Sequence, residues 1–209
     1  MSIVEDDFNA RSHEIEVYID YLLGLESMTG IDVSLMATMK ASAMLMIYNL
    51  MESTVTNSIE SIYDHLREQN IGFSSVDEHL MEMILKCAKK WNPKKLVVTM
   101  RANTLDLAVA AFEKDEVFSG NVDSRKIREV WDDYGISRTS GYDVDALLEV
   151  KSARNDLAHG AKSFSELGKS LTASDLSIKF VSTKELLLRA LKDVEFHISS
   201  GLRNAGAAA

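Results

Sequence analysis

The segment from residue 35 to 69 limits the possible folds most, because its apolar side chains recur every three or four positions. Two adjoining stripes result, one through Met36 and Ile47 and the other through Met44 and Val55. This periodicity predicts a helix that is long for a globular protein. Its first half is apolar nearly all round and must be covered on more than one side. A second subunit or a central place in a bundle would cover it, with the methionines in a core or a dimer interface.

Helical spacing continues through most of the chain, which holds only one proline and ten glycines and so does not suit a turn-rich β architecture. Further helices are predicted over 5–28, from the Ser-Ser-Val-Asp-Glu segment to about Trp91, over 94–113, after Asp123, from Asp143 to Gly160, and after Thr172. The run at 96–99 could instead be a strand, but no partner strand is evident nearby. We expect an all-α fold, with a single domain over 1–204 and a flexible tail at 205–209.

The composition excludes several classes of protein. One cysteine, Cys87, rules out a disulfide framework and a cysteine-based zinc site. The five histidines are scattered singly, and the chain has no glycine-rich phosphate loop, so we expect neither a metal nor a cofactor. The acidic N-terminus lacks the pattern of a secretory signal, and the longest apolar stretch, 43–51, is too short to span a membrane. These features predict a cytoplasmic protein with no membrane contact.

The charge is unevenly distributed along the chain. The 209 residues carry a formal charge of −9, and residues 1–33 hold eight acidic side chains against one basic one. Residues 151–170 reverse this sign, with four basic side chains against two acidic ones. The overall acidity argues against a general duplex-DNA-binding protein, since such proteins neutralise many phosphates. A small basic pocket for a phosphate group remains compatible with this distribution.

The segment 151–164 carries the one pattern with chemical content. On a helix Asn155 and His159 share a face, whereas Arg154 is rotated from His159 by about 140°. The Arg and His side chains therefore converge only if the helix distorts at its end or if a second copy faces the first. Gly160 has the position of a helix C-cap, and the carboxyl end of a helix favours cationic side chains. Such a pair could bind a phosphodiester and move a proton.

A simpler interpretation exists for each of these residues. Arg154 could form a surface ion pair with an acid, and His159 could cap the last carbonyl groups of its helix. Asn155 could form a local hydrogen bond, and Asp156 is expected to pair with a lysine or arginine. Glu52 could reach the same cleft from the long helix, although an exposed or paired glutamate is the more expected outcome.

Arg154-Asn-Asp-Leu-Ala-His159 resembles the motif of ribonucleases in the HEPN superfamily (higher eukaryotes and prokaryotes nucleotide-binding), in which four to six residues lie between Arg and His. Four residues lie between them here. The context resembles one bacterial branch, through Gly120-Asn-Val-Asp123, Asp-Tyr-Gly-Ile at 133–136, the motif followed by Gly160, and the segments at 163–164 and 172–176. The resemblance implies a HEPN-like helical bundle with extra helices. It also implies a homodimer in which the motifs of both subunits line one cleft.

The resemblance further implies an endoribonuclease that needs no metal and acts as a toxin or anti-phage effector. His159 would be the general acid/base for attack of the ribose 2′-OH, and Arg154 would hold the scissile phosphate. Asn155 would orient His159 or the phosphate, while Lys151 and Lys162 would extend the phosphate-binding rim. The implied partners are RNA, a second copy and a cognate antitoxin or regulatory protein, with no DNA. The other possibility is a non-catalytic HEPN-like module that binds a nucleotide or protein, for example the inhibitory member of a toxin–antitoxin pair.

Overall fold

The computed structural model describes residues 2–89, 92–102, 118, 120–142 and 144–202, and their regular secondary structure is helical. The eight α-helices of this part of the chain are α1 Ser2–Glu26, α2 Val33–Glu68, α3 Glu78–Ala88, α4 Pro93–Ala102, α5 Ser124–Asp133, α6 Asp145–Ala158, α7 Phe164–Lys169 and α8 Ala173–Ser199. A short 3₁₀ turn, Phe73–Ser75, precedes α3. The predicted all-α fold is confirmed.

Helix α2 lies at the centre of the fold. Its 36 residues pack against α1, α6, α7 and α8, and side chains such as Ile47, Met51 and Ile59 are fully buried. Met36 and Met44 also belong to this core. Burying side chains of this size stabilises a fold by about 1.5–3 kcal/mol each, so α2 supplies much of the driving force. Neighbouring helices of the same chain thus cover its apolar surface.

Helix α2 is also the one described helix whose length and composition would allow it to cross a membrane. Its most apolar 18-residue window has a mean hydropathy of 1.2, and 44% of that window is buried. The sequence analysis considered only the run at 43–51 and therefore underestimated the length of the apolar stretch in this helix. A core helix covered by four neighbours has the same composition, because it too must be apolar on several sides.

Hydrogen-bonding side chains fix where several helices begin. The Asp123 carboxylate accepts a hydrogen bond from the Lys126 N–H at 2.8 Å and caps α5. Thr172 and Asp175 form a reciprocal capping box at the start of α8. The predicted helix starts after Asp123 and at Thr172 are therefore confirmed, since a side-chain oxygen satisfies a free N–H at each of these two ends.

The run at 96–99 lies inside α4, as expected of the predicted helix, and does not form the alternative strand. Other boundaries differ from the prediction. Helix α3 ends at Ala88 instead of continuing to Trp91, and α6 begins at Asp145. Trp91, Asp143, the segment 103–113 and the tail 205–209 lie outside the described residues.

Helix α7 was not predicted at all. Its backbone lies directly on α2, and a Cβ atom at Gly168 would overlap the carbonyl oxygen of Ala37. Only glycine allows the two backbones to approach this closely. A Ser163–Glu166 capping box begins this six-residue helix, which therefore fixes the chain to α2 soon after it leaves α6.

Candidate functional site

Arg154 extends from α6 toward the central helix. Its guanidinium carbon lies 5.1 Å from the centre of the Tyr48 ring on α2, within the range of a cation–π contact. Its Nη1 atom donates a hydrogen bond to Oδ1 of Asn155 at 3.1 Å. The side chain is half-buried. Two neutral partners therefore hold the guanidinium in place.

A short loop at residues 120–123, between residue 118 and α5, lies against this guanidinium. Gly120 has a φ of +75°, and a Cβ atom there would come within 2.8 Å of Nη2 of Arg154. The Gly120 N–H donates to Oε1 of Glu52 at 2.8 Å, and the Val122 N–H donates to the Tyr48 hydroxyl at 3.3 Å. The 120–123 loop is thus attached to α2 at two points, and its glycine leaves room for Arg154.

Among the described residues, Arg154 forms no direct ion pair, because no carboxylate lies within 4 Å of its guanidinium nitrogens. Glu52 is nearby, but its carboxylate accepts the Gly120 N–H. Burial raises the pKa of Tyr48, the Glu52 charge adds to this effect, and the Val122 N–H and Arg154 oppose it. The guanidinium thus has two neutral groups in direct contact, Tyr48 and Asn155, with the Glu52 carboxylate close by on the Gly120 N–H.

His159 lies at the C-cap of α6, where the chain leaves the helix. Its backbone N–H donates to the Asn155 carbonyl at 3.0 Å, its side chain is exposed, and Gly160 continues at a φ of +68°. Arg154 points inward to α2 while His159 faces solvent, as their separation around the helix predicts. The structure thus brings Asn155 to Arg154, and leaves His159 at the surface of the same helix end.

The two lysines predicted to line a phosphate-binding rim both contact carboxylates. The Lys151 Nζ lies 2.6 Å from Oδ2 of Asp123, and this pair is mostly buried, with 21% and 14% of the side chains exposed. The Lys162 Nζ lies 2.7 Å from Oδ2 of Asp156, in a more exposed pair. Asp156 is therefore the lysine partner that the sequence predicts.

The Asp123 carboxylate has several contacts that favour its charged form. Burial alone would raise its pKa, but the hydrogen bonds from Lys151 and from the Lys126 N–H, with the nearby charge of Arg125, hold the pKa below its usual value of 3.8. Asp123 thus links the start of α5 to Lys151 in the middle of α6, about one helical turn before Arg154.

Sequence reasoning missed two residues at this site. Tyr48 gave no signal, because an aromatic residue in an apolar helical stripe is normally a core side chain. Gly120 appeared only as part of the segment that resembles the bacterial HEPN branch, without a structural role. Glu52 was considered for the cleft, and it reaches the 120–123 loop through a hydrogen bond to Gly120.

Within the described part of the chain, no group of three or more His, Cys, Asp or Glu side chains is arranged to hold a metal ion. Arg154, Asn155 and His159 are three groups whose chemistry does not require one. Arg154 supplies a fixed positive charge and His159 an exposed imidazole, on different sides of the end of α6.

A bundle around one long helix, with an Arg–Asn pair and a His at the carboxyl end of a second helix, is the architecture expected of a HEPN module. The family model described as MAE_28990-like HEPN matches residues 2–204, and the chain therefore belongs to this HEPN family. Neither the curated proteins nor the solved structures give a significant match.

The Asp123–Lys151 contact predicts a pH-dependent contribution to stability. An Asp123→Asn variant keeps an oxygen acceptor for the α5 cap but loses the charge that contacts Lys151. A depressed carboxyl pKa stabilises the fold above the unfolded value of 3.8, and this contribution is lost as the pH falls through the folded pKa. We expect the variant to be about 1 kcal/mol less stable than the wild type at pH 7. The difference should shrink between about pH 5 and pH 3 in urea unfolding.

An Asp7→Asn variant is the matched control, because Asp7 pairs with Arg11 on the exposed surface of α1. Its free energy of unfolding should stay close to that of the wild type at every pH. If Asp123→Asn lowers the free energy of unfolding by the same amount at every pH, the lost helix cap, and not the lost ion pair, accounts for the lower stability.

Proposed function

We propose that this chain is a metal-independent endoribonuclease that cleaves RNA by attack of the ribose 2′-OH on the adjacent phosphate. Membership of the HEPN family supports this type of module. The observation that carries the proposal is the guanidinium of Arg154, held by Tyr48 and Asn155 with no carboxylate in contact in the described chain. The exposed His159 at the end of the same helix supplies the acid/base group.

The proposed reaction uses these side chains as follows. Arg154 binds the scissile phosphate and stabilises the negative charge that develops on its oxygens. A neutral His159 imidazole takes the proton of the 2′-OH as the bond from the 2′-oxygen to phosphorus forms. A protonated imidazole gives a proton to the departing 5′-oxygen as its bond to phosphorus breaks. The products are a 2′,3′-cyclic phosphate and a free 5′-OH, and Asn155 positions the guanidinium through its carboxamide oxygen.

The opposite directions of Arg154 and His159 support a composite site made by two copies of the chain. The starts of α2 and α7 lie close together, through a contact between Ser34 and Ser165. Three exposed apolar side chains at these two starts, Val33, Leu35 and Phe164, offer apolar surface to a second copy. In the proposed dimer, His159 of one subunit works with Arg154 of the other.

In the cell we propose that this activity serves as a toxin or anti-phage effector in the cytoplasm. A ribonuclease that needs no metal would be active wherever RNA is present, so its host would need a cognate antitoxin or regulatory protein to restrain it. The alternative is a non-catalytic HEPN module that binds a nucleotide or protein. The ion pairs of Lys151 and Lys162 favour this alternative. Each lysine contacts a carboxylate, and both charges would otherwise be available to the phosphates of RNA.

The central prediction is cleavage of total RNA in the presence of EDTA. The wild type should leave cyclic-phosphate ends, and Arg154→Ala and His159→Ala should each lower the rate by at least about 100-fold. His13→Ala, which removes an exposed histidine from α1, should cleave as the wild type does. Equal cleavage by all four proteins would indicate a contaminant or another site. If none of them cleaves RNA, the non-catalytic module becomes the preferred function.

Mixing inactive subunits tests the composite site. If Arg154 of one subunit works with His159 of the other, a mixed dimer of Arg154→Ala and His159→Ala chains contains one intact site of two. Random reassortment should then restore about a quarter of the wild-type rate. The measurement is RNA cleavage after the two variants are unfolded together and refolded. Complete absence of recovery, with dimers present by sedimentation, would place both groups within one subunit.

Gly120→Ala tests the close approach to Arg154. The added methyl group should displace the guanidinium and reduce cleavage by about 10-fold or more, as a misplaced charge-stabilising group does. Gly30→Ala is the matched control, because Gly30 also has a positive φ, of +86°, but nothing lies within 4 Å of its Cβ position. Both variants should lose about 1–2 kcal/mol of stability to the strained backbone.

A double variant distinguishes displacement of Arg154 from general damage. In an Arg154→Ala background, Gly120→Ala should cause no further loss of cleavage, because the group it displaces is absent. Equal losses of activity in Gly120→Ala and Gly30→Ala would contradict the role of this contact.

A further inference from the structure

A groove of 570 Å³ lies between α5 and α6. Asn121 lines it and directly follows Gly120, which lies against the Arg154 guanidinium. Lys151, about one helical turn before Arg154 on α6, also lines it. The groove thus shares its neighbourhood with the Arg154 site through these two residues. Its volume is that of a site for a small organic group, which fits one or two nucleotides.

The lining combines cations with an apolar side chain. Its basic residues are Arg125, Lys126, Arg128 and Lys151, and its acidic residues are Asp123, Glu129 and Asp145. Leu148, with 55% of its surface exposed, supplies an apolar patch. Cations that contact phosphates beside an apolar surface that contacts a base are the elements of single-strand recognition.

Two of the three carboxylates in the groove are already bound by cations of the groove itself. Asp123 contacts Lys151, and Glu129 contacts Arg125 at 3.0 Å and Lys126 at 3.7 Å. The Arg125 side chain is 81% exposed. Exposed pairs of this kind contribute little to stability, so a phosphate can take the place of Glu129 at little cost.

A second hollow, between α1 and the carboxyl-terminal half of α2, has the opposite character. Four carboxylates line it, at Asp7, Glu60, Asp64 and Glu68, against the basic side chain of Arg11 and His65. A polyanion would be repelled from this side of a chain that carries −9 overall. The charge distribution thus directs RNA toward the α5–α6 groove.

We propose that the α5–α6 groove binds the RNA strand next to the scissile phosphate, with Arg125 and Lys126 on its phosphates and Leu148 against a base. This inference rests on the proposed ribonuclease function and adds to it a binding subsite outside the Arg154–His159 motif.

The test measures affinity for a fluorescently labelled single-stranded RNA of about 12 nucleotides, using the full chain with His159→Ala to prevent cleavage. Adding Arg125→Glu should weaken RNA binding about 10-fold or more. It should also reduce the dependence of binding on salt concentration, since each phosphate contact contributes about 0.7 to the slope of log K against log salt.

Arg67→Glu is the matched control. Arg67 is also an exposed arginine that pairs with a carboxylate, Asp64, and it lies about 22 Å along α2 from Glu52.

The outcomes separate this inference from the proposed function. Arg67→Glu should leave the affinity within about 2-fold, because it contacts no RNA phosphate. If Arg125→Glu and the milder Arg125→Ala bind RNA as tightly as Arg67→Glu does, the groove is not the subsite. The ribonuclease proposal then still stands if the wild type cleaves RNA in EDTA. Failure of the wild type to cleave and of His159→Ala to bind RNA would overturn both proposals.

Discussion

The burial of α2 is the constraint on which the rest of the structure depends. Because its apolar surface extends over most of its circumference, α1, α6, α7 and α8 must all pack against it. The same packing brings α6 alongside the middle of α2 and places Arg154 over Tyr48. The groups that hold the guanidinium thus sit on two packed helices, which fix side chains more closely than mobile loops do.

Arg154 is half-buried, and no carboxylate of the described residues contacts its guanidinium. Removing a cation from water is costly unless polar groups replace the lost solvent. The Asn155 carboxamide and the Tyr48 ring do so, the ring contributing about 0.5–2 kcal/mol. The Glu52 carboxylate does not contact the guanidinium but accepts the Gly120 N–H, so that it supports the loop beside Arg154.

The sequence predicted what depends on local physics. Helical periodicity and capping side chains identified α2, α5 and α8 closely, since both signals act over a few residues. Helix α7 was missed because six residues are too few for a period and Gly168 lowers helix propensity. The spacing of Arg154 and His159 correctly predicted their divergence. The Tyr48 and Gly120 contacts could not be predicted, because they join segments far apart in the chain and follow no spacing rule.

The order of these segments along the chain has a consequence for synthesis. Ribosomes make α1 and α2 early, and the part of the α2 surface that α6, α7 and α8 cover stays exposed until these helices have followed. At about 5–20 residues per second this interval is on the order of ten seconds, during which a chaperone is the natural cover. The guanidinium can meet Tyr48 only after α6 has been made. A chain released before that point therefore lacks both the Arg154 contact and the helices that complete the core.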